Sequence, residues 1–437
     1  MVHSGNIGGE RMTGERRPFG FWTATALVMG GMIGSGIFLL PSSLAPFGWF
    51  GLLAWVISVS GSLAIAYALS RLAAEMPHAT GAVAVTGAVL GPLPGVLVGW
   101  TYWVSVWGAN AAISIAATSY LSVFFPALSA TPLVGALTSI ALIWLLTLLN
   151  LGGARLAGQF QVVTTVLKLL PLIAVIAIAA MLMVGGVTPI THFAAQPSGF
   201  GSITSAVTLT LFALIGFEAA GIAAERVRDP ERNVMRATMV GTALTGGLYV
   251  LVCLSVILFL PVDALGHAAA PFALFVETYV GHGPALAVAL FAAIAAIGAL
   301  NGWVLIQGEV PLGMARAGLL PAWFARVNAR DVPVRVLLLS STLASLLVYF
   351  NSSKTLGGVF QFVALLTASS NLWFYAAVCV AALVRRVAIV PAGLGLAFSI
   401  WALIGAGVGP SLLSLALMLT AIPAYFLRSR VPAQQPA

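Results

Sequence analysis

Ala26 to Pro41 reads ALVMGGMIGSGIFLLP. The stretch is apolar enough to enter a bilayer, yet Gly30, Gly31, Gly34, Ser35 and Gly36 crowd its middle. Glycine is among the weakest helix formers, and the bilayer centre holds no water to satisfy a freed backbone group. A break there is tolerated where it lines a polar cavity and a ligand completes the hydrogen bonds. The alternative is that the glycines only let helices approach closely.

The rest of the chain supports the membrane setting. Of 437 residues, 60% are hydrophobic and 7% charged, more apolar surface than a soluble core absorbs. Apolar runs of about 20 residues recur throughout, the length of a membrane helix, whereas a β-barrel would alternate in segments of about 10. The expected architecture is all-α, with about twelve spans near residues 19–40, 48–70, 92–121, 131–150, 160–184, 203–223, 238–260, 285–309, 334–350, 357–384, 388–406 and 410–427. The first run has no cleavage signature and reads as a retained span. The domain plan is a tail over 1–17, one membrane domain over 18–428 and a second tail over 429–437.

The net charge of +8 is a topology signal and does not point to nucleic acid. Every arginine falls on a terminus or an even-numbered connection, while the opposite side carries Lys354 alone. By the positive-inside rule both termini are cytoplasmic, in a bacterial inner membrane, with the basic connections resting on anionic lipid headgroups. Cys253 and Cys379 lie within spans, so a structural disulfide is not expected. No H-E-x-x-H motif or acid cluster is present, and His192, His267 and His282 sit in external connections. That speaks against an intramembrane enzyme or a bound metal or cofactor. A channel would need a continuous polar lining, and only two charges lie deep in the spans.

The sixth span, ITSAVTLTLFALIGFEAAGIAA, also carries a mid-span glycine, Gly216, followed by Glu218. Interrupted spans at matching places in two halves mark an inverted-repeat transporter, here five spans plus five with the site at the breaks. The N–H groups of Gly34, Ser35 and Gly36 open a half-helix and suit a carboxylate. The carbonyls near Met32, Phe212 and Ile215 suit an ammonium. Together they describe a site for a small zwitterion. Glu218, an acid deep in a span, is a functional candidate by default, able to take a proton or meet a cation. Lys168 has two readings: its chain snorkels to the nearby cytoplasmic face, or its ammonium acts inside.

With these strings on the page, GGMIGSGIFLLP and FALIGFEAAGIAAERVRDPERN are seen to resemble the amino acid–polyamine–organocation transporters. SYLSVFFP and LLPAWFARVN are similar as well, and the likeness spans roughly 18–427. Nearest in kind are the bacterial basic amino acid/polyamine exchangers of the arginine/agmatine antiporter type. The resemblance implies the leucine-transporter fold, alternating access and exchange of an amino acid for a related amino acid or amine. Proton-coupled uptake is the alternative.

It also implies roles. Glu218 matches a gating, proton-linked glutamate, and Tyr102 and Tyr375 match residues of the inner gate. Lys168 matches a lysine that, in sodium-independent relatives, stands in place of a sodium ion and bridges span 5 to span 1. Trp303 matches a tryptophan that stacks on the substrate side chain, where a cation–π contact suits an amine or guanidinium. Asn110 matches a polar contact to that side chain, Thr367 lies on span 10 near the site, and Phe212 stands where a gating tryptophan occurs. Gly31, Phe212 and Lys168 depart from the arginine/agmatine pattern, which separates this chain from that specificity. Relatives of this kind are often dimers, so a homodimer is the assembly implied.

Overall fold

The computed structural model describes residues 20–34, 36–76, 81–152, 164, 167–190, 200–218 and 227–428. Both expected tails and Ser35 lie outside these residues. The first helices are α1 (Phe21–Met32), α2 (Gly36–Leu44), α3 (Trp49–Ala74), α4 (Ala82–Leu90), α5 (Pro92–Leu121) and α6 (Pro132–Leu151). Next come α7 (Leu169–Val184), α8 (Phe200–Leu214), α9 (Pro230–Phe259), α10 (Val262–Gly266), α11 (Pro271–Tyr279) and α12 (His282–Arg316). The chain closes with α13 (Val334–Phe350), α14 (Leu356–Val384), α15 (Ile389–Gly405), α16 (Val408–Leu419) and α17 (Ala421–Phe426). Apart from short 3-10 turns, these are the regular elements among the described residues.

Among the described residues, six segments are long and apolar enough to cross a membrane: α3, α6, most of α9, α12, α14, and the run Val408–Phe426. The pair α1 and α2, bent by 49° at its break, makes a seventh. Apolarity therefore marks fewer crossings than the dozen expected. The reason is visible in α5. It is 30 residues long yet is not among the apolar segments, because Thr101, Ser105, Asn110, Ser114, Thr118 and Ser119 punctuate it. All six are buried. α5 packs against α12 and α14, and a helix that faces protein on every side is free to carry hydroxyls and amides. The opposite case is Val408–Phe426, whose most apolar window is only 11% buried, against 72% for α14. It covers the outside of the bundle.

Expected spans at 92–121 and 334–350 coincide with α5 and α13. α9 starts at Pro230 instead of 238, and α12 runs to Arg316 instead of 309. Both continue past the apolar stretch into their arginine-bearing ends, where water satisfies polar side chains. The short helices α4, α10 and α11 are too brief to show as apolar periods and were not foreseen.

Candidate functional site

Helix α1 stops at Met32, where the N–H of Ile33 still bonds Met29 O at 2.8 Å and that of Gly34 turns back to Met32 O at 2.7 Å. α2 restarts at Gly36, and its first N–H groups are free of intrahelical partners. In the sixth span α8 ends at Leu214, and residues 215–218 form a turn. Gly216 there has φ +113°, a region that glycine enters at little cost. A Cβ on it would lie 2.8 Å from Gly31 O. One on Gly36 would lie 2.8 Å from the Ala213 Cβ. The two breaks are thus in direct backbone contact, and the glycines are what permits it.

Beside this contact lies a narrow cavity. Met32, Gly34, Gly36, Phe212, Ile215 and Trp303 all line it, together with Gly31, Ala109, Ile113 and Ala213. Phe212 is held edge-on by Phe360, centroids 5.8 Å apart. Asn110 and Thr367 are buried next to this wall without lining it. Asn110 Oδ1, Thr367 Oγ1 and Trp107 Nε1 have no hydrogen-bond partner among the described residues. Thr367 packs where Gly108 leaves room, its Oγ1 2.7 Å from the place a Cβ would take.

One expectation needs correction. Met32 O accepts from Tyr249 Oη at 2.8 Å as well as from the Gly34 N–H. Both lone pairs are taken, so this carbonyl is not open to an ammonium. Tyr249, on α9, escaped notice in the sequence because one hydroxyl in an apolar run gives no local pattern.

Glu218 is buried and fully engaged. Tyr102 Oη on α5 donates to its Oε1 at 2.9 Å, Tyr375 Oη on α14 donates to its Oε2 at 3.2 Å, and the Gly216 N–H also donates to Oε2 at 3.2 Å. Phe217 stacks on Tyr375 at 4.9 Å. The structure therefore joins Tyr102, Glu218 and Tyr375 into one tether between spans 3, 6 and 10. Lys168 precedes α7 and is 1% exposed. Its Nζ donates to Gly30 O at 3.2 Å, in the last turn of α1, where a helix end favours a cation. A lysine so enclosed does not snorkel.

The opposite rim is closed differently. Tyr120 Oη donates to Phe38 O at 2.8 Å, Ser119 Oγ to Ala269 O at 2.6 Å, and Ser42 Oγ to Ala268 O at 2.9 Å. Phe38 meets Tyr120 and Phe272 edge-on. These contacts staple the connection between α10 and α11 onto α2 and α5.

A cavity where a bent helix pair meets a helix that ends in a mid-span turn, inside a multi-pass helical bundle, is the plan of a membrane transporter. The chain belongs to the amino acid permease family, whose model matches residues 19–436. It is 31% identical over 344 residues to a cadaverine/lysine antiporter of Escherichia coli K12, covering 78% of this chain and 77% of that one. It is 28% identical over 407 residues to the putrescine transporter PotE of Haemophilus influenzae, covering 91% and 93%. The Escherichia coli K12 putrescine transporter PotE is 29% identical over 374 residues, covering 84% of each chain. The family transports and does not catalyse.

Proposed function

We propose that this chain is an amino acid/amine exchanger of the bacterial inner membrane that works by alternating access around the cavity between the two breaks. The observation that carries the reading is the Glu218 tether. One carboxylate holds three spans together directly below a backbone crossing that only glycines allow. The substrate's carboxylate sits at the N-terminus of α2, which opens at Gly36, and not on the Gly34 N–H, which is already given to Met32 O; its side chain lies toward Trp303 and Asn110. Phe212 and Ile215 form the wall between. The antiporter names of the relatives point to a lysine- or diamine-like cargo, and a cationic side chain suits the Trp303 face.

Twelve crossings complete the architecture in this reading. They are the six apolar segments, the bent α1–α2 pair, α5, and the shorter apolar helices α7, α8, α13 and α15. The first ten form the inverted repeat, the termini are cytoplasmic on the strength of the arginine distribution, and the protein pairs as a homodimer.

The test is uptake of labelled amino acids into proteoliposomes, empty or preloaded with unlabelled lysine, ornithine, cadaverine or putrescine. Uptake only into preloaded vesicles is the expected result. Uptake into empty vesicles under an imposed pH gradient is the signature of the second reading, proton symport. What favours that reading is the same Glu218, the buried carboxyl among the described residues.

A further inference from the structure

We propose that Gln307 is a positioning residue: it fixes the Asn110 amide so that its oxygen, and not its nitrogen, is left for the substrate side chain. This rests on reading the central cavity as the substrate site.

Gln307 lies on α12 one turn beyond Trp303. Four residues later comes Pro311, which has no N–H to give, so the Gln307 carbonyl lacks its helical donor. Trp103 Nε1 on α5 shares its one N–H between Ser340 Oγ on α13 at 2.9 Å and this carbonyl at 3.2 Å, and Ser340 Oγ in turn donates to the carbonyl at 3.4 Å. The backbone at 307 is thereby locked to both neighbours.

The side chain is locked too. Asn110 Nδ2 donates to Gln307 Oε1 at 2.7 Å, and Gln307 Nε2 donates to Ser341 Oγ at 2.8 Å. Ser341 Oγ lies 2.7 Å from Thr147 Oγ1, which in turn lies 2.7 Å from Ile143 O. A carbonyl only accepts. Thr147 therefore spends its single proton on Ile143, Ser341 donates to Thr147, and Gln307 must present its nitrogen to Ser341 and its oxygen to Asn110. The chain of bonds has one direction from Asn110 to the Ile143 carbonyl, and that direction decides which way both amides point.

Asn110 is fully buried, and its Oδ1 has no partner among the described residues. It lies on α5 between Ala109 and Ile113, both of which line the cavity. An amide held this way offers an acceptor. It fits a side chain that ends in N–H donors, an ammonium or a guanidinium, and discriminates against an apolar end of the same length. Released from Gln307, the amide turns freely and presents an NH₂ as readily as an oxygen, and the preference is lost.

The experiment measures competition by lysine and by norleucine, which ends in a methyl group, against labelled lysine in proteoliposomes of the full chain. The wild type is expected to prefer lysine by tenfold or more, about the worth of one hydrogen bond to a charged group. Gln307→Leu is expected to lose most of that ratio, and so is Asn110→Leu. Gln307→Glu, whose neutral acid can make both bonds, is expected to keep it. Should Gln307→Leu not fold, Thr147→Val breaks the same chain at its far end and is expected to lower the ratio. Loss of preference in Asn110→Leu with full preference in Gln307→Leu or Thr147→Val would overturn the positioning role and leave the site reading standing. Full preference in Asn110→Leu would overturn both.

Discussion

The two rims of the cavity are fastened by different chemistry. Both lie along α5, Tyr102 about a third of the way along it and Tyr120 at its C-terminal end, about 27 Å apart at the rise of an α-helix. At the first rim a carboxylate is gripped by two phenols and a backbone N–H. At the second, hydroxyls of Tyr120, Ser119 and Ser42 reach backbone carbonyls. A carboxylate changes charge when it takes a proton and its bonds reorganise with it. A hydroxyl–carbonyl bond does not titrate in any accessible range. On the proposed exchanger reading, the asymmetry places pH sensitivity at the Glu218 tether and none at the hydroxyl–carbonyl contacts of Tyr120, Ser119 and Ser42.

Four substitutions break or sharpen this contrast. Gly216→Ala removes the crossing that both rims share. Positive φ alone costs about 1–3 kcal/mol in a side-chain-bearing residue, and the Cβ would press on Gly31 O. Transport should vanish in a proteoliposome assay, with a lowered midpoint of thermal unfolding. Gly216→Ala at wild-type rate would show that the two breaks need not touch. Glu218→Gln should come next. Its amide keeps the shape of the tether but cannot titrate, so the rate should fall and its pH profile flatten. An unaltered profile would take the proton role away from Glu218 and with it the contrast between the rims.

Tyr120→Phe tests the other side. It deletes one buried hydrogen bond, about 0.5–1.5 kcal/mol, and leaves Phe38 O short of a donor. Turnover should change severalfold with the pH profile intact. A shifted pH profile here would mean that the rims are not chemically distinct. Ser42→Ala should be the mildest, since its bond to Ala268 O is only partly buried. A change of less than about threefold in rate, consistent with a bond of about 0.5 kcal/mol, is expected from initial-rate uptake.

The same contrast shows what the sequence could and could not reveal. The breaks were legible because glycines stand where a membrane helix least tolerates them, and Glu218 and Lys168 because charge inside a span is costly enough to be conspicuous. α13 was legible by its apolar content, and α5 by its length in spite of its polar interruptions. The grip of Tyr249 on Met32 O and the Asn110–Gln307–Ser341–Thr147 chain were not. Each links helices far apart in sequence, through single hydroxyls and amides that look like ordinary interruptions of an apolar run. Pro311 fell just past the expected end of its span at 309, so it became informative only once α12 proved to run on to Arg316: a proline inside a helix frees the carbonyl four residues earlier, here that of Gln307.

Lys168 brings a last consequence. Its ammonium is bound to Gly30 O from within the protein, so its concentration at that carbonyl is set by a four-carbon tether and not by the surrounding medium. A cell living in brine and one living in fresh water would present the same occupancy there. Exchange should therefore run at one rate whether the vesicles are bathed in sodium, potassium or choline salts of equal ionic strength. A cation that belongs to the chain is not diluted when the salt outside is changed.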